Sequence, residues 1–169
     1  MSLIASPDPA WQAEAEAEKS RWVAAVKKLA KTHHIGSTSI PGLPAKPVID
    51  LLCVFDTAAS QIAARPAVEA MGYEWLGEYG LVGRSYARKA DPESGRHLFH
   101  AHCYAVNHPD IRRHLAFRDA LRENAALRAA YTSIKAACAA RHPEGGRAYG
   151  ECKSRWINKA EARALELYE

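Results

Sequence analysis

The chain has little that would mark it out by composition, and each shortage excludes something. Its four cysteines, at 53, 103, 138 and 152, include no Cys-x-x-Cys pair. The expectation is therefore buried free thiols in a reducing cytoplasm, rather than a metal or disulfide role. No apolar run reaches membrane-spanning length and the N-terminus has no signal-peptide pattern, so a cytoplasmic protein with no membrane partner is expected. The excess of basic over acidic residues is small, with a formal net charge of +4. That leaves room for an anionic small-molecule substrate. The basic residues are dispersed and no aromatic platform stands among them, which sets aside specific nucleic-acid binding. No linker, repeat or low-complexity segment interrupts residues 1–169, so one domain is expected, long enough for a real core.

Pro7-Asp8-Pro9 precedes an Ala/Glu/Lys-rich segment that reads as a helix from about Trp11 to Lys31, with Asp8 as cap and Trp22, Val26 and Leu29 facing the core. A second helix is expected from Thr57 to Met71, kinked or broken by Pro66 and ended by Gly72. Tyr73 to Glu78 and Arg84 to Lys89 read as strands, followed by the strand HLFHAHCYAV. Three helices close the chain: Ile111 to Glu123, Ala125 to Arg141, and about Gly146 to Tyr168. The last two carry core stripes through Tyr131 and Cys138 and through Tyr149 and Trp156. The pattern is α+β, a small mixed β-sheet with flanking helices and a C-terminal helical tail.

The stretch from Thr32 to Asp56, THHIGSTSIPGLPAKPVIDLLCVFD, organises the rest. A short extended segment, His33 to Ile35, runs into Gly36-Ser37-Thr38, where open backbone N–H groups and two hydroxyls suit an anion. An ordinary structural turn is the competing reading. Lys46 rises from the proline-containing loop that follows. Asp50 then sits inside the apolar run VIDLLCVF, where a carboxylate costs several kcal/mol, by order of magnitude, unless it is paired. A structural ion pair with a nearby arginine competes there with metal binding. His100 and His102 alternate on one strand and so share a face, while His97 falls on the opposite parity. The pair reads either as ligands or proton acceptors, or as packed side chains.

The string HIGSTSIPGLPAKPVIDLL closely resembles the signature of the GrpB (UPF0157) family, and DPAW near the N-terminus, GYEWLGEYGLVGRSYARK, the HAH strand and LAFRDALR stand in the order the family shows. That family is similar to the nucleotidyltransferase superfamily typified by DNA polymerase beta. The resemblance implies a nucleotidyltransferase-like fold acting on ATP or another nucleoside triphosphate bound with Mg²⁺, or Mn²⁺ as the alternative. The reaction implied is nucleotidyl transfer, or adenylate-forming activation of a small acceptor. The other reading is a catalytically inactive nucleotide- or anion-binding module on the same fold.

Under the resemblance Gly36, Ser37, Thr38 and Lys46 would hold phosphate, with Arg84, Arg88 and Arg118 neutralising charge. Asp50 would be a catalytic metal ligand. The second strand carboxylate of the superfamily is replaced by Leu52, which leaves the usual two-metal clamp incomplete. The third acid position is occupied by histidine, so that His100 and His102 would complete the catalytic and metal-binding set with Asp50. Relatives place lysines on helices over the triphosphate. For Lys135 and Lys153, an ordinary solvated face is the expectation.

Overall fold

A computed structural model describes residues 2–168. Helix α1 (Ala10–Ala25) leads into strand β1 (Leu29–Ile35), a single 3-10 turn at Ser37–Ser39, and strand β2 (Ile49–Phe55). Helices α2 (Ala58–Ala63) and α3 (Arg65–Ala70) follow, then strands β3 (Tyr73–Trp75), β4 (Ser85–Ala90) and β5 (His97–Ala105). Helices α4 (Pro109–Glu123), α5 (Ala125–Arg141) and α6 (Gly146–Leu167) complete the chain. The five strands form one mixed sheet in the order β1-β2-β5-β4-β3, in which only the β2–β5 pair is parallel. Among the described residues, no helix is long and apolar enough to cross a membrane.

The alternation of β2 divides its side chains between two layers. Ile49, Leu51, Cys53 and Phe55 enter the main core with Trp22, Val26, Val68 and Tyr73. On the other face Leu52 and Val54 cluster with Ile35 and Tyr104, covered by Ile111 and Leu115 of α4. Asp50 belongs to this second face, near the start of the strand. A third cluster joins Ile40 and Leu43 of the loop to Leu121, Tyr131 and Trp156, fastening the tail over the loop that follows the Gly-Ser turn.

The helix expected to run to Lys31 ends earlier. The backbone turns extended at Val26, with a φ of −109° and a ψ of 121°, Lys28 follows with a φ of 61° in the connecting turn, and Leu29 starts β1 instead. Leu29 still packs on the core, so its spacing from Val26 mimicked a helix. Asp8 does cap α1, accepting a hydrogen bond from the Ala10 N–H at 2.9 Å. The segment after Thr57 divides at Ala64, with Pro66 in the first turn of α3, where its missing N–H is harmless.

The cysteine expectation holds for two of four. Cys53 and Cys103 are buried free thiols. Cys138 and Cys152 are joined in a disulfide with Cα atoms 5.8 Å apart. The antiparallel turn from α5 into α6 brings them together, a proximity that sequence spacing alone does not reveal.

Candidate functional site

Asp50 stands at the centre of the site. In the parallel ladder Asp50 is opposite His100 and Leu52 opposite His102, so the carboxylate and both imidazoles share one face of the sheet. His102 Nε2 lies 3.1 Å from Asp50 Oδ1, and His100 Nδ1 lies 3.7 Å from the same oxygen. Burial works against a charge on Asp50. The His102 hydrogen bond and the surrounding imidazoles outweigh it and hold the carboxyl below the usual range. Asp50 is thus an ionised acceptor, and His102 donates to it through Nε2. The other ring nitrogen of His102, Nδ1, is buried without a partner among the described residues. Burial pushes His100 down to about 4, against the pull of Asp50, so its ring is neutral near pH 7. A bulge between Lys89 and Ala90 offsets the parity of β5. As a result His97, expected on the opposite face, places Nδ1 3.0 Å from His100 Nε2.

The donor set does not fit a resident Mg²⁺. That ion asks for near-octahedral oxygen ligands, and the chain offers one carboxylate with two imidazoles, in contact with one another rather than spread around a coordination space. Among the described residues no group of three or more His, Cys, Asp or Glu side chains is arranged to hold a metal ion. Of the expected set, Asp50 and His102 form a hydrogen-bonded pair, and His100 stands beside them at 3.7 Å. Leu52, at the position of the missing acid, is fully buried.

Gly36 bends the chain against Asp50 with a φ of 73°. Beside this turn a cavity of about 290 Å³ is bounded by Gly36, Ser37, Lys46, Asp50, Lys135 and Lys153, with His100, Tyr131 and Tyr149 among the remaining walls. Asp50 is the single carboxylate among its described lining residues. Burial, then the nearby Lys153 ammonium, lowers Lys135 to about 7. Burial lowers Lys153 to about 8, although Asp50 opposes the shift. Lys135 donates from Nζ to the Pro44 carbonyl. A second, smaller cavity of about 200 Å³ lies on the other side of Asp50 and shares Gly36, Ser37, Asp50 and Tyr131 with the first.

The other expected residues are distributed differently. The Ser37 hydroxyl borders both cavities and donates to Tyr131 at 3.4 Å. Thr38 is buried, its hydroxyl 2.9 Å from His34 Nε2, and burial lowers His34 to about 4. Arg84 is directed away from the cavity, donating to the Glu78 and Tyr79 carbonyls, and Arg88 pairs with Glu74 at 2.7 Å. Arg88 falls on the Asp50 face by register, opposite His100, but Glu74 on β3 holds its guanidinium at the sheet edge. Arg118 borders the second cavity and pairs with Asp119 at 2.8 Å, a carboxylate the helical spacing had turned elsewhere. Arg122 needs no anion, because its guanidinium donates to the Ser39 carbonyl at 3.0 and 3.1 Å and ties α4 to the Gly-Ser turn.

The residues that sequence reasoning placed in solvent are the two tail lysines. Each follows a core tyrosine by four residues, Lys135 after Tyr131 and Lys153 after Tyr149, which puts it on the same helix face. That spacing was the available signal. His114 was not singled out either. It borders the second cavity, and burial, with His102 and Arg113 adding to it, lowers it to about 3.

The architecture is that of the nucleotidyltransferase fold. The crystal structure of the Cid1 poly(U) polymerase bound to MgATP superposes with a TM-score of 0.57 at 14% identity, covering 88% of this chain and 50% of that one, a likeness of fold alone. Residues 3–163 match the GrpB protein family, and the chain belongs to it. The crystal structure of the conserved protein GrpB from Enterococcus faecalis is 38% identical, with a TM-score of 0.90, covering 98% of this chain and 99% of that one. The UPF0157 protein YqkA of Bacillus subtilis is 39% identical over 132 residues, 78% of this chain and 38% of the relative. A UPF0157 protein of Pseudomonas aeruginosa is 33% identical over 160 residues, 94% of this chain and 65% of the relative. The chain thus spans less than two thirds of either relative's length.

Proposed function

We propose that this chain binds the phosphate groups of a nucleotide, ATP or another nucleoside triphosphate, in the lysine-lined cavity beside Gly36 and Ser37. The observation that supports the reading is the convergence of Lys46, Lys135 and Lys153 on one side of Asp50. Two of the three have lowered pKa values. A buried ammonium is destabilised unless an anion pairs with it, so a phosphate there offsets the cost of burying that charge. The likeness to a fold whose member Cid1 has been seen with MgATP makes a nucleotide the first candidate anion. Mg²⁺ or Mn²⁺, if carried in on the phosphates, would find one protein carboxylate, Asp50, and the lysines would supply the remaining positive charge.

Nucleotidyl transfer is the second reading, and the cavity on the far side of Asp50 favours it, because an acceptor could occupy it beside a bound phosphate. Leu52 weighs against a two-metal version of that chemistry, being closed into the core with Ile35, Val54 and Tyr104. A thermal-shift series of the protein against ATP, GTP, UTP, CTP and tripolyphosphate, with and without Mg²⁺, tests the reading, since a ligand that binds only the native state raises the melting temperature. A rise with tripolyphosphate and nucleotides that persists without Mg²⁺ is expected. No rise with any of them contradicts the proposal.

A further inference from the structure

The second cavity has a different chemistry from the first. Its walls include Ile35, Phe117, Leu121 and Ile157, an apolar lining that the lysine cavity lacks. Two carboxylates border it, Asp50 at the sheet and Glu161 on α6. Glu161 is matched by Arg113, with Nη1 to Oε1 at 2.9 Å. The Arg118 guanidinium at the same cavity is matched by Asp119 at 2.8 Å. Among the described residues, Asp50 has no lysine or arginine within ion-pair distance. Its contacts are to His102 and His100, and its second oxygen, Oδ2, faces the bare Cα of Gly36. Among the described residues, the carboxylate at the apolar cavity that makes no ion pair with a lysine or arginine is Asp50, while the lysines face it from the other cavity.

From this we infer that the cavity between α4 and α6 is a second ligand site, taking a small primary amine on an apolar body, its ammonium directed at Asp50 and its hydrocarbon against Phe117, Leu121 and Ile157. At about 200 Å³ it has room for one six-membered ring, since a dry cavity of about 150 Å³ holds benzene. A lone carboxylate in low dielectric selects a cation over an isosteric neutral group. Asp50 would then divide two ligands, phosphate on the lysine side and amine on the apolar side. As an acceptor pocket the site rests on the phosphate reading; as an amine site it stands on its own lining.

Calorimetric titration with benzylamine, benzyl alcohol and tripolyphosphate tests this on the intact chain. Wild type should bind benzylamine more tightly than benzyl alcohol, and Asp50→Asn should erase that preference. Ile157→Phe fills the cavity from α6 and should weaken benzylamine by about tenfold or more, an effect of about 1.4 kcal/mol, while tripolyphosphate affinity stays unchanged. Leu121→Phe fills it from α4 and serves the same purpose should the first variant not fold. Wild type that binds tripolyphosphate but not benzylamine overturns the amine site and spares the phosphate reading. Benzylamine binding without tripolyphosphate binding does the reverse. Filling variants that bind benzylamine as wild type does also overturn the inference.

Discussion

A β-carbon on Gly36 would stand 2.7 Å from Oδ2 of Asp50, closer than any side chain tolerates. The Gly-Ser turn and the strand aspartate are in contact, and glycine is what permits it, through both the missing side chain and the positive φ of 73°. Gly36→Ala should destabilise the fold by about 1–3 kcal/mol through backbone strain and the clash. It should also displace the Asp50 carboxylate and weaken tripolyphosphate binding. Urea denaturation and calorimetry on the same preparation check the two effects together.

Leu52→Asp sets packing against lost catalysis. Leu52 is fully buried beside Ile35, Val54 and Tyr104. A carboxylate there has no cationic partner in that cluster and should destabilise the protein by several kcal/mol, by order of magnitude for an unpaired buried charge. Denaturant unfolding gives the number. A variant as stable as wild type that binds Mg²⁺ tightly would show that the position still belongs to a metal centre.

The pH dependence follows from Lys135, with a folded pKa of about 7 against an ordinary 10.5. Between those values the unfolded chain holds the proton and the folded one does not, so this lysine's contribution to stability rises with pH across the window from about 7 to 10.5. Lys135→Met removes the buried ammonium at the cost of the donor to the Pro44 carbonyl. Its stability relative to wild type should be highest near pH 6, by about 1–2 kcal/mol, and should fall as pH approaches 10. Urea midpoints at several pH values check the slope.

The Cys138–Cys152 disulfide fastens α5 to α6 within a few residues of both tail lysines. With a separation of 14 residues, the chain-entropy estimate for its loss is about 3 kcal/mol. Cys138→Ser with Cys152→Ser should therefore lower the melting temperature and weaken tripolyphosphate, because Lys153 sits next to Cys152. Thermal unfolding and calorimetry with and without reductant check both parts.

Much of the fold was legible because periodicity and caps agreed. The tail helix from Ala125 to Arg141 shows its core stripe through Tyr131 and Cys138, and α1 starts behind the expected Asp8, which accepts from the Ala10 N–H at 2.9 Å. The apolar run of β2 and its neighbour β5 were readable in the same way, and with them the shared face of Asp50, His100 and His102. What was not legible depends on contacts far apart in sequence. α1 ends where Val26 turns extended to lead the chain into β1, the parity of His97 is set by a bulge, and the directions of Arg84 and Arg88 are set by partners near the β3 edge of the sheet. The two tail lysines looked solvent-facing because alanine-rich helices with scattered lysines usually are. Only the fold of α5 and α6 over the Gly36 turn turns them inward.

One titration bears most directly on the lysine cavity. Tripolyphosphate is added to the protein at pH 7.5 in buffers of different ionisation enthalpy, for wild type and for Lys153→Ala. Since Lys135 and Lys153 have pKa values of about 7 and about 8, an anion that pairs with their ammonium forms should draw protons onto the protein as it binds. Binding with net proton uptake, weakened about tenfold and with less uptake in Lys153→Ala, is the predicted result. Binding without proton uptake, unchanged by the substitution, or no binding at all, would contradict the account.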